Sequence, residues 1–561
     1  MSPVSSMSAV QDAIWLASYP PGVPADIDPD AFPSVHAMLL DACQRHGDRP
    51  AFDCLGASMT YGEWDAASRC FAAFLVTTLG RRQGDRVAIM LPNVLSYPVA
   101  FLGTLRAGLT VVNVNPLYTQ RELEHQLKDS GATVIVIMEN FAHKLAAVFA
   151  GTPIEHVVVA RLGDLMRPMK RWIFNVANSH IRRAVPPWKF SRFTWFQQAV
   201  TSPPGKPFAD AQTAPAHVAL LQYTGGTTGV PKAAVLSHRN LVANTLQCRM
   251  WIGTRLEPGA ERVLTPLPLY HIFSLTANLL IFATLGGLNV LVPDPRDLRG
   301  LTATMRRTRV TVMSGVNTLF NALLNSPEFR KLDFSALKLA IGGGAAIQAA
   351  VATRWQATTG TPLIEGYGLS EASPVVCINP PDGRARGGTV GLPIPSTELS
   401  IRDDEGRRVA VGEGGEIWVR GPQVMQSYWM RPDETHKVLT EEGWLQTGDV
   451  GMLDGDGFVK ILDRKKDVII VSGFKVFPNE LEEVVGLNPG VLEAAVIGVP
   501  DDRTGEAVKL IVVKRDPNLT EDAVRQHCRD NLTGYKLPKI IEFRDQLPKS
   551  NIGKILRKEL R

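Results

Sequence analysis

Short apolar runs recur through most of the chain and alternate with segments of helical period. The runs lie at 86–91, 110–114, 133–138, 289–293, 310–315, 337–341 and 362–365. Residues 97–108 have a helical period, and a Thr-x-x-Glu capping box at Thr119 and Glu122 opens another helix that ends at Asp129. Runs without a polar face are typical of parallel strands that helices cover on both sides. The pattern therefore predicts an α/β fold with parallel sheets and right-handed crossovers.

The last part of the chain has a different pattern. Short strands at 457–462, 492–499 and 506–513 alternate with helices at 478–486 and 520–531. This alternation is typical of a small α+β domain. Because 561 residues exceed what one hydrophobic core usually serves, we expect at least two domains.

The composition is that of an ordinary globular protein. Apolar residues make up 45% and charged residues 20%, and a net charge of +5 does not by itself indicate nucleic acid binding. The six cysteines are scattered, with no Cys-x-x-Cys and no Cys/His cluster. This distribution favours a reducing cytoplasm and argues against a disulfide framework and a structural zinc site.

The chain carries no pattern typical of export or of a membrane span. Its first residues lack the basic and apolar regions of a secretory signal. The longest apolar segment, 272–285, is interrupted by Ser274, Thr276 and Asn278. Since about 20 apolar residues are needed to span a bilayer, this segment predicts a buried helix, and we expect a cytoplasmic protein.

A loop rich in glycine and threonine lies between the apolar run 217–222 and a helix that starts near Asn240. Such a loop offers backbone N–H groups and short hydroxyl donors to a polyphosphate. It lacks the Walker A spacing, because Lys232 follows a proline, so a phosphate-binding loop outside the P-loop class is predicted. A flexible surface loop is the alternative. The candidate residues are Tyr223, Thr224, Gly225, Gly226, Thr227, Thr228, Gly229 and Lys232.

Six further segments follow in a fixed order. They lie at 268–273, 342–344, 365–371, 443–449, 463–467 and 548–554. Together with the loop they resemble the signature series of the adenylate-forming superfamily, which contains acyl-CoA synthetases, luciferases and peptide-synthetase adenylation domains. The resemblance covers nearly the whole chain, and bacterial long-chain fatty-acid–CoA ligases look most similar. It implies a large N-terminal domain of several subdomains, 1–462, and a small mobile C-terminal domain, 463–561, hinged at Asp463.

The resemblance also implies substrates and roles. A fatty acid, ATP with Mg²⁺, and coenzyme A would react through an acyl-adenylate, whose formation gathers negative charge on phosphate oxygens. Lys554 would reach into the cleft and bind the carboxylate and the α-phosphate, unless it is one more solvated lysine of a basic tail. Glu371 would hold magnesium, with Thr224 as a second oxygen ligand. A glutamate in the first turn of a helix is the alternative for Glu371.

The remaining nucleotide contacts are also implied by the motifs. Tyr367 would lie against adenine, Asp449 would accept hydrogen bonds from the ribose hydroxyls, and Arg464 would add a donor. Core packing, a turn and a surface charge are the respective alternatives. The same motifs contribute Gly344, Glu365, Gly366, Gly368 and Ser370.

The acyl and pantetheine contacts come from two other segments. His271 borders the acyl pocket in relatives, and Ile272 and Leu275 supply apolar surface for an alkyl chain, at about 0.8 kcal/mol per buried methylene. A hydrogen-bonded core histidine is the alternative for His271. A turn of the C-terminal domain would bring Gly473 to the cleft, where a residue without Cβ lets the CoA arm pass.

Residues 161–192 form a basic and aromatic segment. Eight Lys/Arg and a single acid are interleaved with Met, Trp, Ile and Phe. Such a segment is suited to an anionic membrane surface, here the inner membrane, and a solvated insertion packed on the domain is the alternative.

These patterns together predict an AMP-forming long-chain fatty acyl-CoA ligase. One alternative is an acyl-AMP ligase that loads a carrier protein. Another is a non-catalytic fatty-acid-binding or transport protein, against which the presence of Lys554, Glu371 and Asp449 argues. A homodimer is left open.

Overall fold

Parallel sheets carry most of the chain, and a smaller sheet carries its last part. The computed structural model describes residues 13–201, 208–224, 231–550 and 553–561. Within these ranges the strands form four sheets.

The first sheet runs in the order β16-β15-β14-β13-β12-β10-β11-β1-β2. Its strands are β1 (Pro50–Cys54), β2 (Ala57–Thr60), β10 (Arg262–Thr265), β11 (Leu288–Leu291), β12 (Val312–Gly315), β13 (Leu339–Gly342), β14 (Leu363–Gly368), β15 (Val375–Ile378) and β16 (Leu392–Pro393). Pairing is parallel from β1 through β11, β10, β12 and β13 to β14, and β2, β15 and β16 are added antiparallel.

The second sheet runs in the order β19-β9-β8-β4-β3-β5-β6-β7. Its strands are β3 (Arg86–Met90), β4 (Thr110–Asn113), β5 (Val134–Met138), β6 (His156–Ala160), β7 (Thr194–Trp195), β8 (Val218–Thr224), β9 (Lys232–Ser237) and β19 (Ser427–Tyr428). Its strands from β8 to β7 are parallel, as the apolar runs predict, and β9 pairs antiparallel with both β8 and β19.

Two smaller sheets complete the fold. The third is antiparallel and contains β17 (Glu398–Arg402), β18 (Gly415–Arg420), β20 (Leu445–Leu453) and β21 (Val459–Arg464). The fourth contains β22 (Ile469–Val471), β23 (Phe474–Val476), β24 (Val491–Asp501), β25 (Gly505–Lys514) and β26 (Ile540–Phe543). The strand predicted at 457–462 as part of the small domain is β21, which pairs with β20 instead, so that prediction was wrong.

Helices occupy the crossovers and cover the sheets. They are α1 (Val35–His46), α2 (Tyr61–Ala73), α3 (Ser96–Arg106), α4 (Gln120–Ser130), α5 (Ala142–Val148), α6 (Pro168–Val176), α7 (Phe196–Thr201), α8 (His238–Gly253), α9 (Ile272–Ser274), α10 (Ile281–Thr284), α11 (Leu298–Thr308), α12 (Asn317–Asn325), α13 (Ala349–Thr359), α14 (Pro432–His436), α15 (Pro478–Gly486) and α16 (Glu521–Asn531). Three π-helical segments lie at Phe74–Thr78, Ala177–Ile181 and Leu275–Leu280 in the described residues. The capping box of Thr119 and Glu122 forms as predicted, and Gly131 ends α4 with φ +62°.

The apolar segment 272–285 is a buried helix, as predicted, with a π-helical turn in its middle. Its polar side chains are all hydrogen-bonded: Ser274 Oγ donates to Leu267 O, and Thr276 Oγ1 donates to Ser373 O. Hydrogen bonding of this kind allows polar groups to lie in a core. None of the described helices is long and apolar enough to cross a membrane.

The hydrophobic core is divided along the chain. Three clusters of buried residues lie at or before Val459. Two others lie wholly within 469–560 and are built on the fourth sheet. We call residues 13–462 the body and 463–561 the lid. Their cores are separate, which suits a lid that moves as one piece.

Candidate active site

Two strand ends of the body and the tail of the lid meet in one cluster. Tyr367 on β14 donates a 2.7 Å hydrogen bond from its hydroxyl to Asp449 Oδ2 on β20. Arg464 is the register partner of Asp449 on β21, and its Nε lies 3.2 Å from Asp449 Oδ1. Burial and the Asp449 carboxylate raise the pKa of Tyr367 well above its usual value, so its hydroxyl stays protonated.

Lys554 enters this cluster from the lid. A tight turn holds it, because Ser550 N donates to Lys554 O at 2.7 Å and Lys554 N donates to Ser550 Oγ at 3.1 Å. The pKa of Lys554 is lowered to about 8, mainly by burial and then by the Arg464 guanidinium, while Asp449 opposes the shift. We call Tyr367, Asp449, Arg464, His271 and Lys554 the first cluster.

His271 lies close enough to Lys554 to sense its charge. Its pKa is lowered to about 4, mainly by burial and then by the positive charge of Lys554, so the imidazole is neutral at pH 7. Its Nδ1 accepts a hydrogen bond from Phe273 N at the start of α9. A neutral ring beside a lysine leaves the cationic character of the cluster to Lys554 and Arg464.

A residue that the motifs did not single out holds the lysine turn against the body. Thr318 at the start of α12 donates from Oγ1 to Gly553 O at 3.2 Å. A Cβ on Gly553 would lie 2.5 Å from Thr318 Oγ1, and its φ is +82°, so the position requires glycine. Spacing along the chain gave no sign of this contact.

A second cluster forms beside the predicted phosphate loop. The Tyr428 hydroxyl donates to Glu371 Oε1 at 2.7 Å, and the Lys232 ammonium forms an ion pair with Glu434. Lys232 also lies over the Tyr428 ring, 5.3 Å from its centroid. Thr224 is paired with Lys232 across β8 and β9. Sequence reasoning missed Tyr428 and Glu434. Strand β19 and helix α14 bring them to Lys232 from about two hundred residues further along the chain.

The segment 365–371 joins the two clusters, because Tyr367 and Glu371 belong to the first and the second respectively. Glu365 accepts a hydrogen bond from Ile347 N at 2.8 Å, and burial, with a contribution from Glu483, raises its pKa to about 7. A Cβ on Gly368 would lie 2.2 Å from Pro374 O, so no other residue fits there. Ser370 begins the short turn that contains Glu371.

Four other candidate residues make their contacts outside the clusters. The Tyr223 hydroxyl donates to Asp129 Oδ2 at 2.7 Å, which gives that ring a partner at the end of α4. Ile272 and Leu275 are fully buried within the body core. Gly473 is exposed in the turn between β22 and β23, with φ +86°.

The remaining candidates add little to the clusters. Gly344 is exposed after β13 with φ +77°. A Cβ added to Gly366 would lie 3.3 Å from Cys377 O. Residues 225–229 lie outside the described residues. The described residues contain no group of three or more His, Cys, Asp or Glu side chains placed to hold a metal ion.

The predicted hinge residue is held by the lid's own tail. Arg557 Nη1 donates to Asp463 Oδ1 at 2.8 Å, and Arg557 Nε and Nη2 donate to the two carboxylate oxygens of Glu482 at 3.0 and 2.8 Å. Asp463 also accepts from Asn479 N at 2.7 Å. Arg557 comes three residues after Lys554, so the same tail carries the cleft lysine and holds the hinge.

We expect Arg557→Gln to lower the free energy of unfolding of the lid by about 3–5 kcal/mol. It leaves the buried carboxylates of Asp463 and Glu482 without their counter-charge, and breaking a buried pair is costly in this way. Denaturant unfolding followed by hydrogen exchange at β24 and β25 measures the loss. The matched control is Arg561→Gln. Arg561 is half-exposed and forms an ion pair with Asp467, so its substitution should lower the free energy of unfolding by less than about 1 kcal/mol. Equal losses in the two variants would show that the hydrogen bonds of Arg557 to Asp463 and Glu482 do not stabilise the lid more than an exposed ion pair does.

Comparison with known proteins gives the class. A family model described as AMP-binding enzyme matches residues 39–429, and one described as AMP-binding enzyme C-terminal domain matches 480–554. The chain belongs to the AMP-binding enzyme family.

Individual relatives are similar over nearly the whole chain. It is 52% identical over 550 residues to a long-chain-fatty-acid–CoA ligase of Yersinia pestis, covering 98% of both chains. It is 35% identical to a feruloyl-CoA synthase of an Amycolatopsis species, covering 94% of this chain and 96% of the other. Among solved structures, the anthranilate CoA ligase AuaEII in complex with anthranoyl-AMP matches with a TM-score of 0.84 at 26% identity, covering 95% of this chain and 98% of that one.

Proposed function

We propose that this protein is an AMP-forming ligase that joins a long-chain fatty acid to coenzyme A. Fatty acid and ATP give an acyl-adenylate and diphosphate, and the thiol of coenzyme A then displaces AMP to give the thioester. The observation that carries the proposal is the placement of Lys554, near the end of the lid, close to Asp449 on β20 and Arg464 at the end of β21. The full-length similarity to long-chain-fatty-acid–CoA ligases supports the acid class.

The first step needs positive charge more than covalent help. The carboxylate oxygen attacks the α-phosphorus, and the bond from that phosphorus to the bridging oxygen of diphosphate breaks. Negative charge builds on the phosphate oxygens. Lys554 and Arg464 supply two cations there, in a site that is partly shielded from water. The neutral His271 does not compete with them for the anion.

The nucleotide contacts follow the polar atoms of the first cluster. One carboxylate oxygen of Asp449 accepts a hydrogen bond from Tyr367, and the other lies near Arg464. These contacts orient the carboxylate so that it can accept hydrogen bonds from the ribose hydroxyls. The Tyr367 ring, held by that hydrogen bond, offers its face to adenine.

Magnesium fits the second cluster in the chemistry of its donors. The Glu371 carboxylate and the Thr224 hydroxyl are hard oxygen ligands, and Mg²⁺ is usually bound by one or two carboxylates together with substrate phosphates. Bound there, the ion would neutralise phosphate charge. Lys232, paired with Glu434, adds a cation at the start of β9.

The test is diphosphate release across a panel of fatty and aryl acids, with and without coenzyme A. We expect release with long-chain acids, acyl-CoA as the final product, and much weaker activity with ferulic and anthranilic acids. Product formation that ignores coenzyme A but loads a carrier protein would favour the acyl-AMP ligase alternative. No diphosphate release with any acid would favour a binding or transport protein. The homodimer stays a prediction.

A further inference from the structure

Helix α6 and the π-helical turn that continues it present their apolar side to water. Met169, Trp172 and Ile173 are exposed to 77%, 68% and 48%, and Ile181 to 76%. The first three are spaced i, i+3, i+4 and therefore share one face of the helix. Exposed large apolar groups that lie together, unlike single ones, mark an interaction surface.

The inward side of the same helix packs Phe174 on the body core and carries polar contacts, which together fix this orientation. Asn175 Oδ1 accepts from Gly163 N at 2.8 Å, and the buried Asn178 exchanges hydrogen bonds with Asn140 at 3.1 and 3.2 Å. A Cβ on Gly163 would lie 2.6 Å from Arg171 O, so the helix is packed tightly on the body. Turning the apolar face inward would break these contacts, so its exposure is part of the fold.

Cations surround the apolar face. Arg167, Arg182 and Arg183 are exposed and Arg171 is half-exposed. None of the four is within ion-pair distance of a carboxylate among the described residues, although the charge of Arg171 acts on the buried Asp164. Lys170 donates from Nζ to Gly56 O at 2.6 Å, which places the exposed Leu55 of the β1–β2 turn beside the helix. The single acid of the segment, Asp164, is buried and accepts from Arg161 N.

We propose that this surface, made of Leu55, Met169, Trp172, Ile173 and Ile181 with their surrounding arginines, docks the protein on a bilayer of anionic phospholipid. An apolar face rimmed by cations is complementary to acyl chains beneath anionic headgroups. A second copy of the chain is a poor occupant, because a two-fold interface would bring the same unpaired arginines together. Nucleic acid would pair with the arginines but would leave the aliphatic side chains in water.

The use of such docking rests on the proposed function. Long-chain fatty acids partition into membranes, so an enzyme held at the surface meets its substrate at a higher local concentration. The docking itself does not depend on catalysis and is measured without ATP or acid.

The experiment is flotation of the full chain with vesicles of phosphatidylcholine alone or mixed with phosphatidylglycerol. We expect binding only to the mixed vesicles and its loss at high salt. Arg171→Gln with Arg182→Gln and Arg183→Gln should weaken it about 10²-fold, at about fivefold per charge. The control removes three charges elsewhere, with Arg45→Gln, Arg309→Gln and Arg407→Gln, and should leave binding within about threefold.

A second set of variants tests the apolar residues of the surface. Met169→Ser with Trp172→Ser and Ile173→Ser should weaken binding at least about tenfold, whereas Met430→Ser, which alters an equally exposed side chain elsewhere, should not. Trp172→Leu should retain binding but lose the quenching of tryptophan emission by brominated acyl chains, which reports insertion of that ring.

Three results would overturn the proposal. These are equal binding to neutral vesicles, binding unchanged in the arginine and the serine variants, and binding of duplex DNA that these variants abolish while vesicle binding persists. Turnover of detergent-dispersed fatty acid should be unchanged in every variant. If the unaltered protein released no diphosphate, that result would count against the proposed function and not against the docking surface.

Discussion

Lys554→Ala lowers the rate of acyl-adenylate formation by about 10²–10³-fold and leaves the reaction of supplied acyl-AMP with coenzyme A close to that of the unaltered protein. Removing one preorganised donor to a developing oxyanion has this size of effect. The effect should be confined to the first step, because Lys554 lies in the first cluster only while the lid holds its present position. The hydrogen bond from Thr318 to Gly553 O marks that position. Separate assays of diphosphate release and of acyl-CoA formed from acyl-AMP give the two rates.

The acidity of the same lysine gives the control. Its pKa of about 8 means that the ammonium is charged below that pH and neutral above it, so kcat/KM for adenylation should be flat below about pH 8 and fall above. Lys554→Arg keeps its charge throughout and should remove this fall while retaining part of the activity. Equal loss of both half-reactions in Lys554→Ala would remove the lysine from its assigned role.

Gly473→Leu retains acyl-adenylate formation and lowers conversion to acyl-CoA by about 10²-fold or more. In the structure an added Cβ at Gly473 meets nothing within 4 Å, so a side chain there has space when Lys554 occupies the cleft. After a turn of the lid, the same position would border the path of the pantetheine arm, and small misplacements of reacting groups have effects of this size. Diphosphate release and acyl-CoA yield, measured on one preparation, separate the two steps.

Backbone strain has to be separated from blockage. Gly473 has φ +86°, where leucine is strained, and Gly412 has φ +88° with nothing within 4 Å of an added Cβ in the body. Gly412→Leu is therefore the matched control and should leave the ratio of the two rates unchanged. A Gly473→Leu protein whose acyl-CoA yield still follows its acyl-AMP formation would contradict the two-conformation account. Asp463→Pro is a less selective probe of the hinge, because it would also remove the carboxylate that accepts from Arg557.

The fold was largely predictable because its elements are determined locally. Period and capping located α4 and the buried strands, and the polar interruptions of 272–285 correctly indicated a core helix. The strand at 457–462 was assigned to the wrong sheet because a strand's pairing partner cannot be identified from its own pattern. The strand at 459–464 forms a hairpin with the preceding strand β20, and its own composition does not show whether it pairs with the strand before it or with the strands that follow.

The candidate site divides in the same way. The motifs named Tyr367, Asp449, Arg464 and Lys554, and the structure brings these four side chains together. Their roles in binding remain predictions. The partners that orient these and the other candidate residues, such as Thr318 and Tyr428, come from distant elements with no motif of their own. Gly473 lies outside the clusters, and the turn of the lid that would bring it to the cleft stays a prediction.

The separate cores of body and lid have a calorimetric consequence. A rigid turn of the lid would leave both sets of buried apolar residues in place, so little hydrocarbon surface would be exposed to water. Heat-capacity changes follow apolar exposure, so exchange between the two lid positions should have a heat-capacity change near zero. Its equilibrium constant would then follow a straight van't Hoff line. The populations would depend on ionic strength through exposed ion pairs between body and lid, such as that of Asp404 with Lys465.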